Sequence, residues 1–302
     1  MNSPSNVMPE SQVAAQSTAI SPTRPFYWSV RREIWGNRSI YIVPLVSAIF
    51  YLATFVVNTM RLRVRIHGAW PLDATKHFST PYEMAAGLIM GSAFIIGVFY
   101  SIDALYGERR DRSIFFWKSM PVSDLTTVLA KVTIPIVILP LLSFVITIVT
   151  QTLMLLLSSL VLLGSGVSIA TVWSHSSVFQ FSGMLLYHIV TVHGLWYAPM
   201  YGWLLFVSSW APRAPFIWAF LPPFLVGGLE MATFNTNNFF QMLLGRLAGP
   251  EAPAPQNGSF MSAMTSMTPL QFFAEPGLWI GLAIAAGFIA AAVRLRRSRV
   301  PM

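Results

Sequence analysis

His188 and His193 are the nearest this sequence comes to a metal-ligating pair, because among its five histidines only these two share a predicted helix. Five residues apart on an α-helix, they would project about 140° apart around the axis, a poor geometry for gripping one ion. No metal site is therefore expected. The chain has no cysteine, which removes disulfides and thiolate ligands, and no His-Glu-x-x-His stretch. Gly166, Val167 and Ser168 have the outline of a serine nucleophile turn, but they fall in a predicted outer loop rather than at membrane depth. No Gly-rich phosphate loop ending in Gly-Lys-Ser/Thr occurs, so no ATP hydrolysis and no enzymatic activity are expected of this chain. Asp103, Glu83 and Glu230 lie at the ends of predicted helices, which leaves no ion relay across the middle. Glu230 near an outer gate, with Gln151, His188 and His193 along a pathway, are the candidate polar groups; plain interhelical hydrogen bonding is the alternative for the last three.

The most informative residues lie between positions 106 and 131. Five alternating charges, Glu108, Arg109, Arg110, Asp111 and Arg112, precede the apolar run Ile114, Phe115, Phe116 and Trp117, and Lys118, Pro121 and Ser123 follow. Bulky aromatics beside mixed charge make a knob of the kind that fills a groove on a partner protein, since aromatics and Arg concentrate at binding hot spots. The alternative is that the aromatics anchor the loop among lipid head groups. Ser123 followed by Asp124 supplies a helix cap and a first-turn carboxylate, which predicts a helix start just after Pro121.

The elements that must carry these residues are membrane helices. The chain is 55% apolar and only 10% charged, far from the balance of a water-soluble domain. Its apolar residues come in blocks long enough to cross hydrocarbon. Six such blocks span 39–59, 82–105, 125–157, 178–209, 214–230 and 277–293. Residues 1–23, rich in Ser, Pro, Gln and Ala, read as a disordered cytoplasmic tail without a cleavable signal, and 24–302 as one membrane domain. With the N-terminus inside, fourteen Lys and Arg fall on the cytoplasmic side and five outside, the Arg61, Arg63 and Arg65 cluster being the local exception. That bias predicts both termini in the cytoplasm, in a cytoplasmic (inner) membrane. The net charge of +8 sits at block edges, which fits anionic lipid as a partner and not nucleic acid.

Ahead of the first block, Phe26, Tyr27, Val30 and Ile34 fall within an arc of about 100° on a helical wheel, predicting a helix on the cytoplasmic interface. The third block, 33 residues by these bounds, would be roughly 50 Å long as a straight helix, so it must tilt or bend, and Pro135 and Pro140 predict a kink in its cytoplasmic half. In the long last outer loop, Phe239, Phe240, Leu243, Leu244 and Leu247 recur at helical spacing, predicting an interfacial or re-entrant helix before the sixth block. Pro and Gly then break it over 249–259, and a flexible stretch at 261–268 leads back to the membrane.

Glu108 with Arg109, Ser113, the run Ile114 to Trp117, Pro121 with Val122 and Ser123, and Lys131 resemble the cytoplasmic loop of ABC-2 type transporter permeases. The family's usual Gly before the hydroxyl residue is Arg112 here. The resemblance implies six transmembrane helices, an N-terminal interfacial helix, a coupling helix between the second and third spans, and an outer re-entrant or interfacial segment before the sixth. It also implies the membrane-spanning subunit of an ATP-binding cassette exporter. A separate cytoplasmic ATPase would bind the ATP and Mg and dock on the coupling loop, with Glu108, Arg109, Arg110 and Arg112 as a charged rim around Ile114, Phe115, Phe116 and Trp117. One six-helix chain supplies half of a two-fold pathway, so pairing with itself or a similar permease is expected. A membrane assembly or sensor subunit without transport activity is the alternative.

Overall fold

The computed structural model describes residues 23–65, 80–119, 122–162, 178–249 and 269–298. Among them the chain is helical throughout and contains no strand, as a segment surrounded by lipid must be if its backbone is to satisfy its own hydrogen bonds. Residues 1–22 of the predicted tail, the Gly166 to Ser168 turn, and the breaks at 250–259 and 261–268 lie outside the described residues, and Thr23, expected in the tail, opens α1. So do the side chains of Arg61, Arg63 and Arg65.

In order, the helices are α1 (Thr23–Gly36), α2 (Ser39–Arg65), α3 (Thr80–Asp103), α4 (Tyr106–Arg110), α5 (Ile114–Ser119), α6 (Asp124–Thr133) and α7 (Leu139–Leu162). Then come α8 (Val178–His188), α9 (Ala198–Trp210), α10 (Pro215–Phe234), α11 (Asn238–Ala248), α12 (Pro269–Ala274) and α13 (Pro276–Ser298). Among the described residues, five helical stretches are long and apolar enough to cross a membrane: α2, α3, the joined α6 and α7, α10, and α13. They correspond to five of the six predicted blocks.

The third block does not snap at its prolines. It starts where expected, with the Thr126 amide donating to Ser123 Oγ at 3.1 Å, and it widens through a π-helical turn, Ile134–Ile138, before continuing as α7. Pro135 and Pro140 lack the N–H that an α-helical ladder needs, and a wider turn absorbs the mismatch within one continuous rod.

The fourth block differs from expectation. It is three pieces, α8, a π-helical stretch Ile189–Trp196, and α9, with a turn at Tyr197. Neither α-helical piece alone has the eighteen residues of a spanning helix. The segment nonetheless follows α3 from one end to the other. Leu185 and Ile189 pack on Ala86 and Met90. Tyr197 and Tyr201 meet the Phe94 ring at 5.2 and 6.3 Å. At the far end, Ser208 touches Leu105. On its other side α9 packs closely on α13 through Gly202, where a Cβ would lie 3.3 Å from the Ala285 backbone.

α1 lies against the bundle with Ser29 and Glu33 buried, and Val30 and Ile34 pack on the cluster of Ile40, Ala93 and Tyr100. The apolar positions Val30 and Ile34 of the predicted arc therefore face protein, and the aromatics Tyr27, Trp28 and Trp35 are exposed. α10 is bounded by two residues in the left-handed region, Ala214 (φ 48°) and Asn235 (φ 53°), which turn the chain sharply at both ends. α11 folds back onto α10 so closely that the Phe240 ring occupies the space a Cβ on Gly227 would need.

Candidate functional site

The loop singled out in the sequence is built around α4, and α4 is tied to the end of α9. The Leu105 and Tyr106 amides both donate to Ser208 Oγ, at 2.9 and 3.0 Å, so a serine from another helix serves the orphan donors at a helix start. Arg109 Nη2 donates to the Ser208 and Ala211 carbonyls at 2.7 and 2.8 Å. A guanidinium at a helix C-terminus satisfies its free carbonyls and complements its dipole.

One residue earlier, Glu108 points into the protein. Its carboxylate is held by Arg32 of α1 and Lys131 of α6, each at 3.2 Å, and by Arg296 of α13. Lys131, only 2% exposed, also reaches Glu33 of α1 at 2.9 Å. Arg32 pairs with Glu33 at 2.6 Å, and the Tyr100 hydroxyl donates to the other Glu33 oxygen at 2.9 Å. Arg296 Nε completes the set with Asp124 at 3.0 Å. Three cations and three carboxylates thus form one network joining α1, α4, α6 and α13. Burial alone would raise the Glu33 carboxyl, but Lys131 and Arg32 outweigh it and hold the group below its ordinary value. Ion pairs this buried roughly balance attraction against lost hydration, so their value lies in fixing geometry, while removing one partner strands a charge.

Past α4 the chain turns at Arg112, whose φ of 55° is left-handed. This is the position where the resembled family carries Gly, the residue that adopts that conformation without strain. The turn presents α5, in which Ile114 is buried at 3% while Phe115 and Phe116 are 57% and 61% exposed. Trp117 lies on the same short helix, and its side chain is outside the described residues.

The predicted knob and rim are therefore divided. Phe115 and Phe116 stand at the surface, with Arg112 exposed beside them and Arg110 pairing with Asp111 at 3.0 Å and Asp103 at 3.7 Å. Ile114 anchors the turn from inside. Glu108 and Arg109, expected at the rim, are drawn inward because cations of α1, α6 and α13 and the α9 carbonyls lie behind α4.

The other candidates separate in the same way. Gln151 is buried in α7 and donates to the Tyr82 carbonyl at 3.0 Å; among the described residues its Oε1 has no partner, nor has Oγ1 of Thr147 one turn earlier. His188 and His193, placed apart by α-helical geometry, are brought together: their ring centroids are 5.6 Å apart, edge to face. The π-helical turn explains this, since its wider winding puts residues five apart on one face. Among the described residues no cluster of three or more possible metal ligands occurs.

Glu230 is exposed and accepts from the Asn238 and Phe239 amides at 3.0 and 2.8 Å and from the Thr236 hydroxyl at 2.7 Å. It caps α11 from the preceding helix. At the other end of α11, the Arg246 guanidinium lies 4.1 Å from the Trp196 ring centre and donates to the Gly277 carbonyl at 3.1 and 3.2 Å. Trp196 Nε1 and the Tyr197 hydroxyl donate to the Arg246 and Leu247 carbonyls at 3.0 and 2.9 Å. α11 therefore ends beside the Tyr197 turn, level with the middle of α3.

Sequence reasoning picked out Lys131 by resemblance and Glu108 as a charge, but missed that Glu33, Arg32, Arg296 and Asp124 belong with them. The only local signal was Glu33, a carboxylate flanked by the apolar Val30 and Ile34. Compared with known proteins, the chain matches no protein-family model, no curated protein and no solved structure.

Proposed function

We propose that this chain is the membrane-spanning permease subunit of an ATP-binding cassette exporter, powered by ATP and Mg bound in a separate cytoplasmic ATPase. The observation that carries the reading is the arrangement at one end of the bundle. Two exposed phenylalanines ride on a short helix, and the helix just before it is locked by Glu108 to α1, α6 and α13. A push on such a knob is shared by four helices, which is what a motor subunit needs from its docking point.

In this reading both termini are cytoplasmic and α8 to α9 cross as a broken fourth span. Its course beside α3 from Ala86 to Leu105 favours that layout. The descent of α11 to the level of Phe94 favours a re-entrant outer segment over one lying flat on the surface. A second copy or a similar permease completes the pathway.

The experiment is affinity purification of the full chain from its native membrane, followed by ATPase assay of the complex and of the stripped chain. The exporter reading expects a co-purified subunit that hydrolyses ATP, an inactive isolated chain, and loss of the complex with Phe115→Ala and Phe116→Ala. Turnover by the isolated chain would overturn it. So would variants that keep the complex but lower the melting temperature, since the phenylalanines would then be membrane anchors.

A further inference from the structure

The face of α1 turned away from the bundle carries a pattern that neither the ion network nor the docking loop uses. Arg24, Trp28, Arg31 and Trp35 recur at steps of four, three and four residues, which aligns them on one stripe of the helix. Arg38 follows in the turn before α2. The stripe lies opposite Glu33, the residue that faces the network. Trp28 and Trp35 are 56% and 64% exposed. Between them the Arg31 guanidinium lies 5.0 Å from the Trp28 ring centre and 4.2 Å from that of Trp35. One guanidinium thus lies within cation–π reach of both indoles. Among the described residues no carboxylate pairs with Arg24, Arg31 or Arg38.

We infer that this stripe is a binding surface for anionic phospholipid head groups. A guanidinium held near two rings gives up part of its freedom before any ligand arrives, and its planar fork matches two phosphate oxygens. Indoles prefer the depth of the head groups, where an apolar body and one N–H donor are both accommodated. Position decides between lipid and protein as the occupant. α2, an apolar spanning helix, begins at Ser39 directly after Arg38, so the end of the stripe lies where hydrocarbon gives way to head groups. Three unpaired cations with no acid among them suit a lipid surface of opposite charge, each contributing attraction that fades within a Debye length.

The surface requires only that the chain sit in a membrane, so it stands or falls separately from the exporter reading. The test uses the full chain in detergent micelles, titrated with phosphatidylglycerol or phosphatidylcholine, with bound lipid counted by native mass spectrometry. The unmodified chain retains phosphatidylglycerol in preference to phosphatidylcholine. The triple variant Arg24→Gln, Arg31→Gln, Arg38→Gln binds phosphatidylglycerol about tenfold or more weakly, and Arg31→Gln alone about threefold to fivefold, with the melting temperature unchanged. The control removes three exposed arginines elsewhere on the same side, Arg213, Arg294 and Arg297, and keeps the stripe's affinity. Equal loss in control and stripe variants would reduce the effect to overall charge and overturn the site. So would undiminished binding by the stripe variants, or intact lipid binding with loss of a co-purifying ATPase, which would make the stripe a protein-docking face. Failure to find any ATPase removes the exporter reading and leaves the lipid counts as they are.

Discussion

The end of the bundle around Glu108 and the end of α11 are both held by cations, but by opposite means. Around Glu108 three cations meet three carboxylates inside the protein and are joined by ion pairs. At α11 a lone half-buried cation, Arg246, is held by an aromatic face and one backbone carbonyl, with no carboxylate partner among the described residues. The first arrangement penalises any separation of its helices, because opening it strands desolvated charge. The second can be exchanged for water at little cost. The contrast divides the chain into a stiff base and a more readily detached α11.

The sharpest way to break the base is to remove its most buried cation. Lys131→Met should cost about 3 kcal/mol or more, seen as a large fall in melting temperature, because Glu33 and Glu108 lose a shared buried cation and only Arg32 still bridges them. The same network gives a pH signature. Glu33 has a folded-state value below its unfolded one, so its contribution is fully present at neutral pH. That contribution is lost only as the pH falls through and below the ordinary carboxylate range. Melting curves between neutral and strongly acid pH should show this loss in the unmodified chain and a shallower one in Lys131→Met. An equally steep acid loss in both would show that the network is not its source.

The next effect concerns the knob that the base supports. On the exporter reading, Phe116→Ala should weaken ATPase association by about 2 kcal/mol, measured as complex yield against concentration, while melting stays within error because the ring is exposed. A smaller, local effect is expected at the detachable end. Arg246→Ala should lower hydrogen-exchange protection across α11 by about 1 kcal/mol without moving the global melting temperature. If the whole protein melts earlier instead, α11 belongs to the base and the division is wrong. Smallest is Arg112→Gly, which should raise stability by no more than about 1 kcal/mol by relieving the left-handed backbone of the turn before α5.

What the sequence disclosed was local or periodic. The cap at Ser123 and the starts of α2, α10 and α13 came from spacing and punctuation, and the exposed Phe115 and Phe116 from an aromatic run beside charge. What it withheld depended on partners far away along the chain. Lys131 and Glu33 are 98 residues apart, and Glu108 and Arg296 are 188 apart, so nothing near any of them marks it as paired. The two histidines were misplaced for a different reason: wheel geometry assumes α-helical winding, and residues 189–196 wind more widely. The stripe on α1 was hidden by attention to Val30 and Ile34, which proved to face the protein.

The buried network has a consequence for how the chain is made. Arg296 emerges 188 residues after the Glu108 it neutralises. Until then α1, α4 and α6 hold three carboxylates and only two cations. The surplus negative charge keeps water at that corner of a half-made protein, and the corner dries only when the final helix is in place. A chain cut short before α13 would carry its incompleteness as a wet, charged cleft.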